Sequence, residues 1–107
     1  MERIAFKLKL KNGMEEEYKK RHDEIWPEMT EILNDAGIHN YSIWLLGNDL
    51  FGYYETEDIE YAVKIQKESD VVLKWNEYMS NVIDSILLDD GSYYADVNSM
   101  ECMFYHK

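Results

Sequence analysis

Residues 39–56 read HNYSIWLLGNDLFGYYET, two runs rich in β-branched and aromatic residues parted by Gly47, Asn48 and Asp49. Such runs around a short turn-forming break predict a β-hairpin, with Gly-Asn-Asp as the turn. On the first strand Tyr41, Ile43 and Leu45 share one face, while Trp44 and Leu46 take the other. Both faces are apolar. One can pack on helices of the same chain; the other then needs a second cover, most simply another copy of the molecule.

Working back from the hairpin, RIAFKLKL (Arg3–Leu10) alternates strictly, with Ile4, Phe6, Leu8 and Leu10 on one side and Arg3, Lys7 and Lys9 on the other. This is a half-buried strand, ended by Lys11-Asn12-Gly13. From Met14 the apolar positions are Met14, Tyr18, Ile25, Trp26, Met29, Ile32, Leu33 and Ala36, steps of three and four that a helix satisfies. Pro27 has no N–H to give and clashes with the preceding turn, so a kink or restart is expected between residues 23 and 27. Gly37 is placed to end the helix after Ala36.

Forward of the hairpin, Asp58 or a neighbour is the expected cap of a helix burying Ile59, Ala62 and Val63. Asp70 is the expected cap of a further helical pattern, Val71, Val72, Trp75, Tyr78, Met79 and Val82. Asp84–Asn98 shows no period and reads as a long loop. Ser99–Lys107 alternates again, with Met100, Cys102 and Phe104 on one side, and reads as a final strand. The order is strand, helix, strand, strand, helix in two pieces, strand. That is the split βαβ, ferredoxin-like α+β arrangement: one antiparallel sheet with helices on one face. The uncovered face predicts a homodimer.

At 107 residues, 46% of them apolar, the chain makes one domain, residues 1–107, with a single core. Eleven basic against twenty-two acidic residues give a net charge of −11. That field repels phosphate backbones and anionic bilayers, so nucleic-acid and membrane partners are not expected. A neutral ligand is indifferent to it. Cys102 is the single cysteine, which forbids an intrachain disulfide and predicts a reducing compartment. No signal peptide or membrane-length apolar run is evident, and a soluble cytoplasmic protein is the expectation.

Within YKKRHDEIWPEM (Tyr18–Met29), His22 falls on the apolar helical face with Tyr18, Ile25 and Trp26. An imidazole exchanges protons near neutrality, which no aliphatic core residue does. The plainer reading is a half-buried histidine bonded to backbone. Tyr41 offers a hydroxyl at the start of its strand, Trp75 a flat ring for the apolar face of a sugar, and Asn76 a donor and an acceptor. For Trp75 core packing is equally good, and for Asn76 a solvated helix position. No metal site is expected, since His22 has no ligand partner one turn on and His39 and His106 follow no ligand spacing. Nine tyrosines against three phenylalanines fit a polar-ligand pocket or an interface.

The combined spacing of EEYKKRHDEIWPEM, HNYSIW and KWNEYM resembles the L-rhamnose mutarotase family, and the similarity runs through nearly the whole chain. The resemblance implies a dimeric α+β barrel that interconverts the anomers of L-rhamnose without a cofactor. It implies His22 as proton donor, with Tyr18, Tyr41, Trp75 and Asn76 contacting a small neutral monosaccharide. One position departs: a member of the family carries two tryptophans where Trp75 and Asn76 stand, which bears on substrate identity more than on reaction type. Other enzymes of this architecture, such as a small monooxygenase or a haem-degrading protein, and a sugar-binding module without turnover, are the competing readings.

Overall fold

A computed structural model describes residues 1–107. Its sheet is built from β1 (Glu2–Lys9), β2 (Ile38–Leu46), β3 (Asp49–Thr56) and a short last strand, β6 (Asn98–Met100). The spatial order is β2-β3-β1-β6, every neighbour antiparallel. Four helices, α1 (Glu15–Asp23), α2 (Pro27–Asp35), α3 (Ile59–Lys67) and α4 (Asp70–Met79), supply the other layer, and a separate hairpin, β4 (Ser85–Leu87) with β5 (Tyr93–Ala95), follows α4. This is the expected ferredoxin-like order.

Pairing of β1 with β3 sets Ile4 opposite Tyr54, Phe6 opposite Gly52 and Leu8 opposite Leu50. These inward residues meet Met29, Ala36, Ala62, Trp75 and Met79 from the helices, with Val82 and Ile83 closing the core beyond α4. Gly52 is required where it stands: a Cβ there would enter the ring of Phe6. Because Gly52 lacks one, the Phe6 ring fits over it and meets Tyr41 and Tyr54 in edge-type contacts, at 6.2 and 6.3 Å between centroids.

The proline break is complete. α1 stops at Asp23, and α2 restarts with Pro27 in its first turn behind an extended Trp26, the conformation a residue before proline prefers. Asp58 caps α3 as expected, accepting from the Tyr61 N–H at 3.1 Å. Gly37 follows α2 at φ +73°.

Several expectations are corrected. Leu46 pairs with Asp49, so the hairpin turn is Gly47-Asn48 alone and Asp49 belongs to the strand, where its carboxylate meets Lys9 at 2.8 Å. Ser69, not Asp70, caps α4, its hydroxyl accepting from the Val72 N–H at 3.2 Å, and Asp70 is the first helical residue. Val63 is exposed, because α3 turns the stripe Ile59, Ala62, Ile65 and Gln66 to the core and leaves Val63 at its side. Asp84–Asn98 is not a plain loop: β4 and β5 pair within it, and their connection is tightened by Asp90, whose Oδ1 accepts from the Ser92 N–H and hydroxyl. The last strand ends at Met100. Beyond it Tyr105 rests on the Arg3 guanidinium at 3.3 Å, and Cys102, Met103 and Phe104 are exposed outside any strand.

On the sheet's far face Trp44 and Leu46 are 69 % and 74 % exposed, with Phe51 directly opposite Trp44 and Asp49 opposite Leu46. The helices cover only the other side. No helix is long and apolar enough to cross a membrane.

Candidate active site

The site begins with two rings one helical turn apart. On α1 the Tyr18 and His22 side chains stack, 4.2 Å between centroids and 29° between planes. His22 Nδ1 lies 3.0 Å from the Tyr18 carbonyl oxygen. A carbonyl only accepts, so Nδ1 carries a hydrogen, and in the neutral ring Nε2 keeps its lone pair. Burial pushes the imidazole pKa below 6.5, opposed by the Tyr18 carbonyl and the negative charge of Asp23. At neutral pH the ring is therefore a neutral base with one occupied nitrogen and one free.

Trp75 of α4 faces the same imidazole. Its indole stands edge-on to His22 at 5.4 Å and 88°, and edge-on to Trp26 at 5.0 Å. Tyr78 closes this wall, 5.3 Å from Trp26 and 5.7 Å from Trp75. Trp75 is 8 % exposed and packs into the core. Of the two sequence readings, core packing is the one observed, and the same indole also meets the histidine ring.

Tyr41 comes from the sheet, and an irregularity aims it. His39 pairs with Glu55 but Ser42 pairs with Tyr53, so β2 spends one residue more than β3 between these points. This is a β-bulge, with Asn40 at φ +50° and its side-chain amide held by Glu55. Ahead of the bulge Ile38 faces the core; beyond it the odd-numbered Ile43 pairs with inward Gly52, while Trp44 faces out. The extra residue thus changes which positions face inward. Tyr41 meets Tyr54 at 5.5 Å and Phe6 at 6.2 Å. Its phenol pKa is driven far above the usual range by burial first, then by the phenols of Tyr18 and Tyr54, although 38 % of the residue remains exposed. The hydroxyl end is therefore the desolvated part. Burial alone raises the Tyr18 phenol as strongly. Both stay protonated and can donate.

Asn76 is half-buried, about 100° round the α4 axis from Trp75, so it does not share the Trp75–His22 contact. Tyr54 and Trp26 join the cluster without having been singled out for it. Tyr54 is findable from its alternation with Leu50 and Gly52; the helical period marks Trp26 only as apolar. No three His, Cys, Asp or Glu side chains gather as a metal requires. Two open depressions, along α3 at Ile59, Val63 and Lys67 and along α1 at Glu16, Lys20 and Glu24, contain none of the site residues.

The arrangement presents a proton-exchanging nitrogen, two phenolic donors and flat apolar rings, with no formal charge in the cluster at neutral pH. That chemistry suits a neutral polyhydroxylated ligand. A profile of the L-rhamnose mutarotase family matches residues 3–106. An L-rhamnose mutarotase from Listeria monocytogenes serovar 1/2a is 47% identical over 87 residues, covering 79% of this chain and 83% of the relative. The crystal structure of an L-rhamnose mutarotase from Formosa agariphila superimposes with a TM-score of 0.84 at 30% identity over the full length of both chains. A dimeric ferredoxin-like protein from an uncultured marine organism shares the fold alone, with a TM-score of 0.61 at 15% identity over 98% of this chain and 96% of that one.

Proposed function

This chain belongs to the L-rhamnose mutarotase family, and we propose that it carries out that isomerase chemistry, exchanging the α and β anomers of L-rhamnose through a proton passed by His22. The observation that supports this most is the imidazole itself, half-buried between the Tyr18 ring and the Trp75 edge, with Nδ1 engaged and Nε2 free.

Opening a pyranose moves one proton. The anomeric O–H bond breaks, a ring-oxygen O–H bond forms, the C1–O5 bond breaks and C1=O forms. Both oxygens are bonded to C1, so one nitrogen can serve both. Neutral His22 takes the anomeric proton at Nε2 and donates it to the ring oxygen; after rotation about C1–C2, closure runs the same steps backwards. The imidazolium formed on the way is favoured by the Tyr18 carbonyl and by Asp23. Tyr18 and Tyr41, held protonated by burial, donate to the sugar oxygens. Trp75 offers its ring to the apolar face, and Asn76 its amide to a hydroxyl. No electron or group leaves the sugar, so the steps call for no cofactor. A positioned acid–base group supplies about 10²–10⁴-fold, enough for a reaction already feasible in water.

Freshly dissolved α-L-rhamnose tests the function. Polarimetry or saturation-transfer NMR should show substoichiometric protein accelerating equilibration, and more for L-rhamnose than for L-fucose, L-lyxose or galactose. Rates identical with and without protein would overturn the reading; binding without acceleration would leave a sugar-binding module.

The same proposal includes a homodimer formed through the far face of the sheet. Trp44 and Leu46, more than two-thirds exposed, adjoin Phe51, and Met100 is 48 % exposed opposite Ala5. A second copy related by a two-fold axis would cover this face with itself. Light scattering after gel filtration should give twice the chain mass for the wild type and a single-chain mass for Trp44→Glu. A wild-type monomer at micromolar concentration would remove the dimer.

A further inference from the structure

His22 rides on a helix that the core barely holds. α1 has no buried residue, whereas α2, α3 and α4 each bury at least one. Among the apolar side chains of α1, half-buried Tyr18 alone packs against the core cluster, beside Met14 at the helix start, and the His22 ring meets Trp75. Burial of an apolar face is what usually docks a helix, so a further contact must help to seat α1. That contact is Arg21, next to His22, whose side chain is only 11 % exposed.

The guanidinium is engaged on three sides. Nε donates to Glu17 Oε2 at 2.7 Å, and Nη1 donates to the Tyr78 carbonyl at 2.6 Å and to Asn81 Oδ1 at 3.0 Å. Its central carbon lies 4.2 Å from the centre of the Tyr78 ring. The Tyr78 carbonyl belongs to the last turn of α4, where carbonyls lack helical partners and the helix end is negative. A rigid planar fork suits this set of acceptors better than an ammonium does. The Tyr78 ring in turn packs on Trp75, whose edge faces His22.

We propose that Arg21 is a positioning residue: by tying α1 to the end of α4 it sets the distance and angle between His22 and the Trp75 wall, and so the aim of Nε2. It acts through His22, and the proposal rests on the reading of His22 as the proton carrier. Misplacing a reacting group by an ångström can cost about 10²-fold in rate, so a helix that rocks loses turnover even when the fold survives.

Arg21→Met keeps the stem and removes the fork; Arg21→Lys keeps the charge. Three readouts on the full chain decide the role: amide hydrogen exchange, the imidazole nitrogen signals of His22, and kcat with KM for L-rhamnose anomer exchange. In Arg21→Met the α1 amides should exchange about tenfold faster with the sheet unchanged. The His22 signals should shift, and kcat should fall about tenfold or more with a smaller change in KM. Arg21→Lys should recover part of kcat. Asn81→Ala removes one acceptor and should give the same pattern more weakly, which decides the matter if Arg21→Met does not fold. Unchanged α1 exchange and His22 signals, or a fall in kcat without them, would overturn the proposal. A His22→Asn protein with full exchange activity would instead remove the proton-carrier reading, while the α1 and His22 signals still report on Arg21.

Discussion

His22→Asn should fold normally and exchange L-rhamnose anomers about 10²–10⁴-fold more slowly than the wild type. Asparagine approximates the imidazole's length and keeps a donor for the Tyr18 carbonyl, so the stacked site should survive. What disappears is the nitrogen that, on the proposed mechanism, alternates between base and acid. The rate per bound sugar should collapse while affinity changes little, since Tyr18, Tyr41 and Trp75 remain. Retention of wild-type exchange in a folded His22→Asn protein would take the imidazole out of the reaction.

Trp75→Ala should have the largest effect on stability. The indole is 8 % exposed and meets His22, Trp26 and Tyr78. Truncating a buried aromatic to alanine costs about 3–5 kcal/mol through lost burial and the cavity left behind. Against a total of roughly 5–15 kcal/mol that is a large share. At about 4–8 °C per kcal/mol for a domain near this size, Tm should fall by more than about 10 °C. Trp75→Phe, which keeps a ring in place, should fold with a smaller loss and raise KM more than it lowers kcat. A Tm unchanged in Trp75→Ala would show that the wall is not part of the core.

Much of this was legible in the residues because local rules and tertiary packing agree. The alternation of Ile4, Phe6, Leu8 and Leu10 places β1, and Pro27 breaks the helix because no context restores its missing N–H. Tyr18 and His22 share a face because 3.6 residues per turn requires it. Where two neighbours meet one rule equally well, sequence does not choose: Ser69 and Asp70 are both good caps, and chain direction at Ser69 decides. Three-residue strands such as β4 and β5 are too short to show a period. The alternation after Ser99 continues past the point where the chain leaves β1, so Cys102 reads as strand although it is exposed.

Within the site, the limit is the third dimension. The bulge after His39 depends on how β2 meets β3, and nothing in HNYS announces it. Arg21 looks like one more charge on a wet helix; its value comes from Tyr78 and Asn81, 57 and 60 residues away in sequence. Contacts of that range follow from topology, not from spacing.

One titration tests the central claim most directly: following the His22 imidazole by NMR and the anomer exchange rate together, in one sample, from about pH 5 to 8. On the proposed mechanism the neutral ring is the active form; burial lowers its pKa, and protonation at low pH removes the acceptor at Nε2. The rate should rise with pH through the midpoint at which His22 itself loses its proton, below 6.5, and be level by neutrality. A rate that stays flat, or falls, while His22 titrates through that midpoint would contradict the account.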